Sequence, residues 1–149
     1  MAIVVSWYGK GMQHVMQNDT NSDLEVADLF LGLVTSSYSP NLDTDEFWST
    51  PVTNELATGN GYTTNGYDVT GATFSYDATS DQVRLDINDP TWTFTAAKSW
   101  QYGVLYERTS STDASRKLFA LLNWGSTQTV STGYTLVIDA NGLLYVDVT

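Results

Sequence analysis

Apolar and polar residues alternate most clearly in the second half of the chain. "GATFSYD" sets Ala72, Phe74 and Tyr76 on one side of an extended backbone, and "DQVRLDI" sets Val83, Leu85 and Ile87 opposite Arg84 and Asp86. The polar "DATSD" between them predicts a hairpin. "TWTFT" (91–95) alternates threonines with Trp92 and Phe94. "YGVLYE" (102–107) groups Tyr102, Val104 and Tyr106, and "KLFALLNW" (117–124) groups Leu118, Ala120, Leu122 and Trp124. Near the end, "YTLVID" and "LLYVDV" flank "ANG", and Asn141-Gly142 supplies the positive φ angles of a tight turn, so the spacing predicts a C-terminal hairpin.

The first half is patterned differently. "AIVVSWY" (2–8) clusters β-branched and aromatic residues without helical spacing and predicts a first strand or an extended arm. "GMQHVMQ" (11–17) places Met12, Val15 and Met16 at i, i+3 and i+4, one apolar stripe on a short helix. "DLFLGLVT" (28–35) is a near-continuous apolar run of strand length, as expected of a central strand buried on both faces. From there to residue 67 the chain is rich in Pro, Gly, Asn and Thr, which predicts a long loop with one helical turn inside it. Loops of that length in compact domains contact something. About eight short strands with one or two short helices define a mainly β class, an antiparallel β-sandwich or jelly-roll-like domain. Without a repeat or a boundary, residues 1–149 form one domain, residues 1–10 being the segment that an arm would occupy.

Charge narrows the partners. Six basic residues against seventeen acidic ones give a net charge of −11, and Lys10, Arg84, Lys98, Arg108, Arg116 and Lys117 are mostly scattered. Such a chain repels nucleic-acid phosphates and anionic membrane surfaces. No apolar run approaches the roughly 20 residues of a spanning helix. The first residues carry no base before their short apolar run and no cleavage signature after it, unlike a secretory signal. The absence of cysteine excludes disulfides, thiolate zinc sites and Cys nucleophiles, and fits folding in a reducing cytoplasm.

Candidate chemistry concentrates in "YSPNLDTDEFW" (38–48), where Asp43, Asp45 and Glu46 fall close together. Neither the turn glycine nor the distal Glu of a calcium loop follows them. The residue types predict a helical turn capped by Asn41 or Asp43, with Asp45 and Glu46 near its positive end and Phe47 and Trp48 sealing it onto a sheet. His14, the single histidine, sits between Gln13 and Val15 and reads as a surface or interface residue. No G-x-S-x-G elbow is present. Asp43, Asp45, Glu46, Asp86 and Asp89 are numerous enough for a glycosidase pair, but carboxylates in a small acidic protein mostly hydrate the surface. "TGNGYTTNGY" lacks the Lys and spacing of a phosphate loop and reads as turns. Alternation puts Trp92 and Trp124 in the core and leaves Trp48 and Trp100 as exposed faces for a sugar ring or a protein partner.

The stretch "LVTSSYSPNLDTDEFWSTPVTNELATGNGYTTNGYDVTGATFSYDATSDQVRLD" resembles a group of small tailed-phage virion proteins. In that group T-S-S-Y-x-P-N leads into D-x-x-x-F, followed by V-x-N-E, a G-x-G-Y turn and a hairpin that ends near D-x-x-W. The corresponding residues are Thr35 to Asn41, Asp43 with Phe47, Val52 to Glu55, Gly59 to Tyr62, and Asp89 with Trp92. The similarity covers residues 24–107, and Asp45 stands where many relatives would have histidine. The resemblance implies a non-enzymatic, cofactor-free head decoration or cement protein, made in the host cytoplasm. It would sit on the major capsid protein at the outer capsid surface as a homo-oligomer such as a trimer. A second placement is a neck, tail or fibre module that binds glycans through Trp48 and Trp100. The candidate interface is Ile3, Val5, Trp7, Tyr8, Phe47, Trp48 and Trp100, and an apolar arm at the N-terminus could add a strand to a neighbouring chain.

Overall fold

Alternation becomes strand pairing in the computed structural model, which describes residues 3–148. Ala2, the first residue of the expected strand or arm, lies with Met1 and Thr149 outside the described residues. In chain order the elements are β1 (Val4–Trp7), α1 (Gly9–Gln17), β2 (Leu29–Val34), a 3-10 turn (Pro51–Asn54) and β3 (Tyr67–Asp68). Then follow β4 (Thr73–Asp77), β5 (Gln82–Asp86), β6 (Thr91–Thr93), β7 (Lys98–Glu107), β8 (Leu118–Val130), β9 (Gly133–Thr135) and β10 (Leu144–Asp147). The domain is mainly β, with antiparallel sheets, a sandwich-like arrangement and one α-helix, as the patterning predicts.

A five-stranded sheet in the order β1-β8-β7-β2-β3 forms the centre, with separate sheets β10-β5-β4 and β6-β9. Leu29, Leu31, Leu33, Leu105 and Leu122 join Leu85, Ile87, Trp92 and Leu144 in one core. Phe30, Val34, Val104, Tyr106 and Leu118 belong to a second core, completed by Tyr38 and Trp48 from the long loop. All six residues of β2 are therefore buried, which is why its sequence is continuously apolar rather than alternating. The loop itself is the third layer.

Two bulges adjust the alternation. Between the Leu105–Ala120 and Tyr106–Leu118 pairs one residue of β8, Phe119, has no partner. That extra residue sends Leu118 to the second core, while Ala120, Leu122 and Trp124 stay in the first, so the expected single face is split. A second irregularity between Trp100 and Tyr102 turns the end of the β7–β8 ribbon.

The predicted C-terminal hairpin does not form. Gly142 has φ of 83° and its N–H reaches the Asp139 carbonyl at 2.8 Å, so the turn exists. Its arms nevertheless pair elsewhere: β9 with β6, setting Tyr134 opposite Trp92, and β10 with β5, setting Leu144 opposite Leu85. These distant partners bury large apolar side chains in the first core, which a two-stranded ribbon on its own could not do. The β4–β5 hairpin forms as expected, Phe74 opposite Leu85 and Tyr76 opposite Val83.

Of the stripe expected on helix α1, Met12 and Val15 are half-buried and Met16 is 80% exposed, and the helix ends at Asn18, in the left-handed region with φ of 52°. It crosses β8 so closely that a Cβ on Gly11 would lie 2.1 Å from the Leu118 carbonyl oxygen. Gly32 is also tightly covered, since a Cβ there would come 2.4 Å from the Trp48 ring. Gly32→Ala must displace a fully buried indole, and we expect a loss of about 1–3 kcal/mol, read as a lower urea midpoint at unchanged slope.

Candidate partner-contacting sites

The acidic stretch is a joint. Asn41 caps one helical turn, its Oδ1 accepting the N–H groups of Asp43 at 3.1 Å and Thr44 at 3.2 Å while its carbonyl accepts that of Asp45 at 2.9 Å. Asp45 turns back to accept the Tyr38 hydroxyl at 2.6 Å and the Asn41 N–H at 2.9 Å. The Tyr38 oxygen also meets that of Tyr8 at 2.9 Å. Burial pushes both phenols above their usual range, which keeps them neutral hydrogen-bonding groups beside the carboxylate.

Glu46 and Asp19 hold the two nitrogens of His14, at 3.0 Å from Nε2 and 2.6 Å from Nδ1. The imidazole, 14% exposed, thereby ties α1 to the loop, and it can donate to both carboxylates only when protonated. Phe47 forms an isolated bridge with Lys117, and the main-chain N–H of Trp48 donates to the Arg116 carbonyl at 2.8 Å.

Farther along the loop, Glu55 organises the glycine-rich turns. Its Oε1 accepts the Tyr62 hydroxyl at 2.8 Å and the Asn65 N–H at 2.7 Å, and the Tyr62 oxygen in turn accepts the Leu33 N–H at 3.0 Å. Asn60, Gly61, Asn65 and Gly66 take positive φ angles, as Asn-Gly pairs favour. A Cβ on Gly66 would lie 2.2 Å from the Leu31 carbonyl, so this turn packs against β2. Burial pushes the Glu55 carboxyl up to about 7, against the opposing pull of the Tyr62 and Asn65 donors.

The expected interface residues separate into three places. Trp48 and Trp100, expected at the surface, are both 0% exposed. Trp48 stacks on Tyr106, the centroids 4.1 Å apart and the planes at 1°. Trp100 lies among Phe94, Trp124 and Tyr134 at 5.7, 6.1 and 5.0 Å, where the irregularity beside it in the ribbon brings it inward. Burying an indole of about 200 Å² is worth roughly 5 kcal/mol, more than the roughly 1–3 kcal/mol lost by leaving its N–H unpaired, as both are here. Tyr8 is fully buried too, and Phe47 is half-buried beside His14, ring centroids 6.4 Å apart.

Ile3, Val5 and Trp7 do come together. They line a cavity of about 770 Å³ whose opposite wall is the segment from Leu136 to Tyr145. There Val137 is 72% and Tyr145 53% exposed. Reading that segment as a hairpin hid its role. The three consecutive apolar residues Leu136, Val137 and Ile138, which break alternation, were the available signal.

Among the described residues no group of three or more His, Asp or Glu side chains converges to hold a metal ion. No helix among them is long and apolar enough to cross a membrane. No protein-family model, curated protein or solved structure matches the chain.

Glu55 makes stability depend on pH in a direction unusual for a carboxylate. Because its folded value exceeds its ordinary 4.5, the folded chain keeps a proton that the unfolded chain has released, so stability falls as pH rises from about 4.5 to about 7 and levels above that. Glu55→Gln retains an acceptor for Tyr62 and Asn65. Urea melts of the two proteins from pH 4 to 8 should therefore diverge, the variant gaining on the order of 2 kcal/mol relative to the parent across that window.

Proposed function

We propose that the chain is a non-enzymatic structural protein of a tailed-phage virion that decorates and stabilises the capsid by binding the major capsid protein at its outer surface. In this reading it acts as a homo-oligomer such as a trimer and carries no cofactor. One observation carries the proposal: the residues of the phage-like motifs are joints of the architecture. The Thr35 N–H donates to the Asn54 carbonyl at 2.9 Å, Tyr38 to Asp45, and Tyr62 to Glu55, while Gly59 and Tyr62 bridge one another. A motif spent on fastening a long loop to a sheet suits a protein whose work is to hold a shape and resist unfolding outside the cell.

The neck, tail or fibre reading loses the indole faces on which its glycan binding depended, since Trp48 and Trp100 are both enclosed. The carboxylates are likewise dispersed among local tasks, Glu46 on His14 and Asp89 accepting the Ile138 N–H at 2.8 Å.

Purified particles should hold the chain in copy numbers commensurate with the capsid lattice, and particles lacking it should lose their genome at lower temperature. A handful of copies per particle, or its placement away from the head, would reject the proposal.

A further inference from the structure

The cavity beside β1 is bounded by two open strand edges. Tyr8 donates its N–H to Phe119 at 2.9 Å, so by alternation the main-chain groups of residues 4, 6 and 8 face β8 and those of Val5 and Trp7 face away. On the other wall, Val148 donates to Asp81 at 2.7 Å, which turns the main-chain groups of Tyr145 away from β5. β1 and β10 are each terminal in their sheets, and they approach each other across the cavity. Among the described residues neither Val5 nor Trp7 makes a further main-chain hydrogen bond, and the Trp7 indole N–H is buried without an acceptor.

Two other edges of these sheets carry protection that β1 lacks: β3 is only two residues long, and β4 ends at Asp77, paired with Arg84 at 2.7 Å. β1, "VVSW", has no charge, no proline and no break in its pairing with β8. The cavity wall contributes Asp139 and no basic residue, on a chain of net charge −11.

We propose that this cavity is a strand-acceptor slot, which takes one extended segment of another protein chain with apolar side chains at alternate positions and a Lys or Arg at its end. The apolar side chains enter between Ile3, Val5 and Leu136, the main chain pairs with the free edge of β1, and the basic end lies toward Asp139. A compact hydrocarbon ligand would fill the same volume but leave the edge groups of Val5 and Trp7 unpaired. The slot goes beyond the capsid reading. Copy counting on particles tests that reading, peptide binding tests this one, and either can fail alone.

The probe is a synthetic peptide, Lys-Val-Thr-Val-Thr-Val-Thr-Lys, titrated into the whole chain with amide hydrogen exchange read by NMR. Saturable binding is expected, with exchange at Val5 and Trp7 slowed by about tenfold or more. The same peptide with a central proline and glutamate ends should bind about tenfold more weakly or worse. Val5→Pro removes an outward N–H while sparing the β8 ladder, and N-methylation of alternate peptide amides removes the pairing without touching the fold of the chain. Each should weaken binding, and should circular dichroism show that Val5→Pro fails to fold, the N-methylated peptide remains as the test. No binding at about 1 mM peptide, protection at other strands, or uptake of an apolar dye that the peptide cannot displace would overturn the proposal.

Discussion

Trp48 lies flat on Tyr106 above the bare backbone of Gly32, and much of the molecule is arranged so that it can. The central sheet is buried on both faces along β2 and the adjoining stretches of β7 (103–107) and β8 (118–122), so one opposing sheet leaves half of that surface uncovered. A loop must then serve as a layer, although a loop has no regular ladder to satisfy its own main-chain groups. The Trp48 contact supplies the apolar anchor. Asn41, Asp45 and Glu55 supply acceptors for the amides and hydroxyls around it.

The acidic residues fall into two populations. Asp45, Glu46, Glu55 and Glu107 face inward or into joints and accept hydrogen bonds from Tyr38, His14, Tyr62 and the Ser110 N–H. Others, such as Asp43 and Asp68, are exposed and supply much of the charge that repels other polyanions. The net charge of −11 therefore understates how much of the acidity is structural. Carboxylates replace the helix caps and backbone ladders that a loop of this length lacks.

Strand positions were legible wherever burial was one-sided or continuous. The alternation of Phe74 and Tyr76 with Val83 and Leu85 marks β4 and β5, and the unbroken run from Leu29 to Val34 marks a strand covered on both faces. Pairing was less legible. Asn141-Gly142 encodes a turn, but a turn does not say that its arms must meet, and the apolar partners Leu85 and Trp92 lie far back in the chain. The expected exposure of Trp100 failed for a related reason. A single bulge changes which face a side chain occupies, and nothing local to Trp100 announces one. The acidic stretch is legible as a capped turn because Asn41 acts on residues two and three positions away, within reach of local chemistry. The His14 contact with Glu46 spans 32 positions and has no local signature.

The contact of Gly11 with the Leu118 carbonyl works as a pawl on the central sheet. β1 is short and apolar, so its side chains alone would tolerate sliding along β8 by one pleat repeat, two residues, without changing which face is inward. Sliding would carry α1 with it, because Tyr8 already accepts the Met12 N–H and only one residue separates strand from helix. A shift that brought Gln13 over that carbonyl would put a side chain where no atom fits, whereas the opposite shift would bring another glycine, Gly9, there. A missing methyl group on the helix thus bars a strand it does not belong to from sliding one way, and so limits where the free edge of β1 can lie.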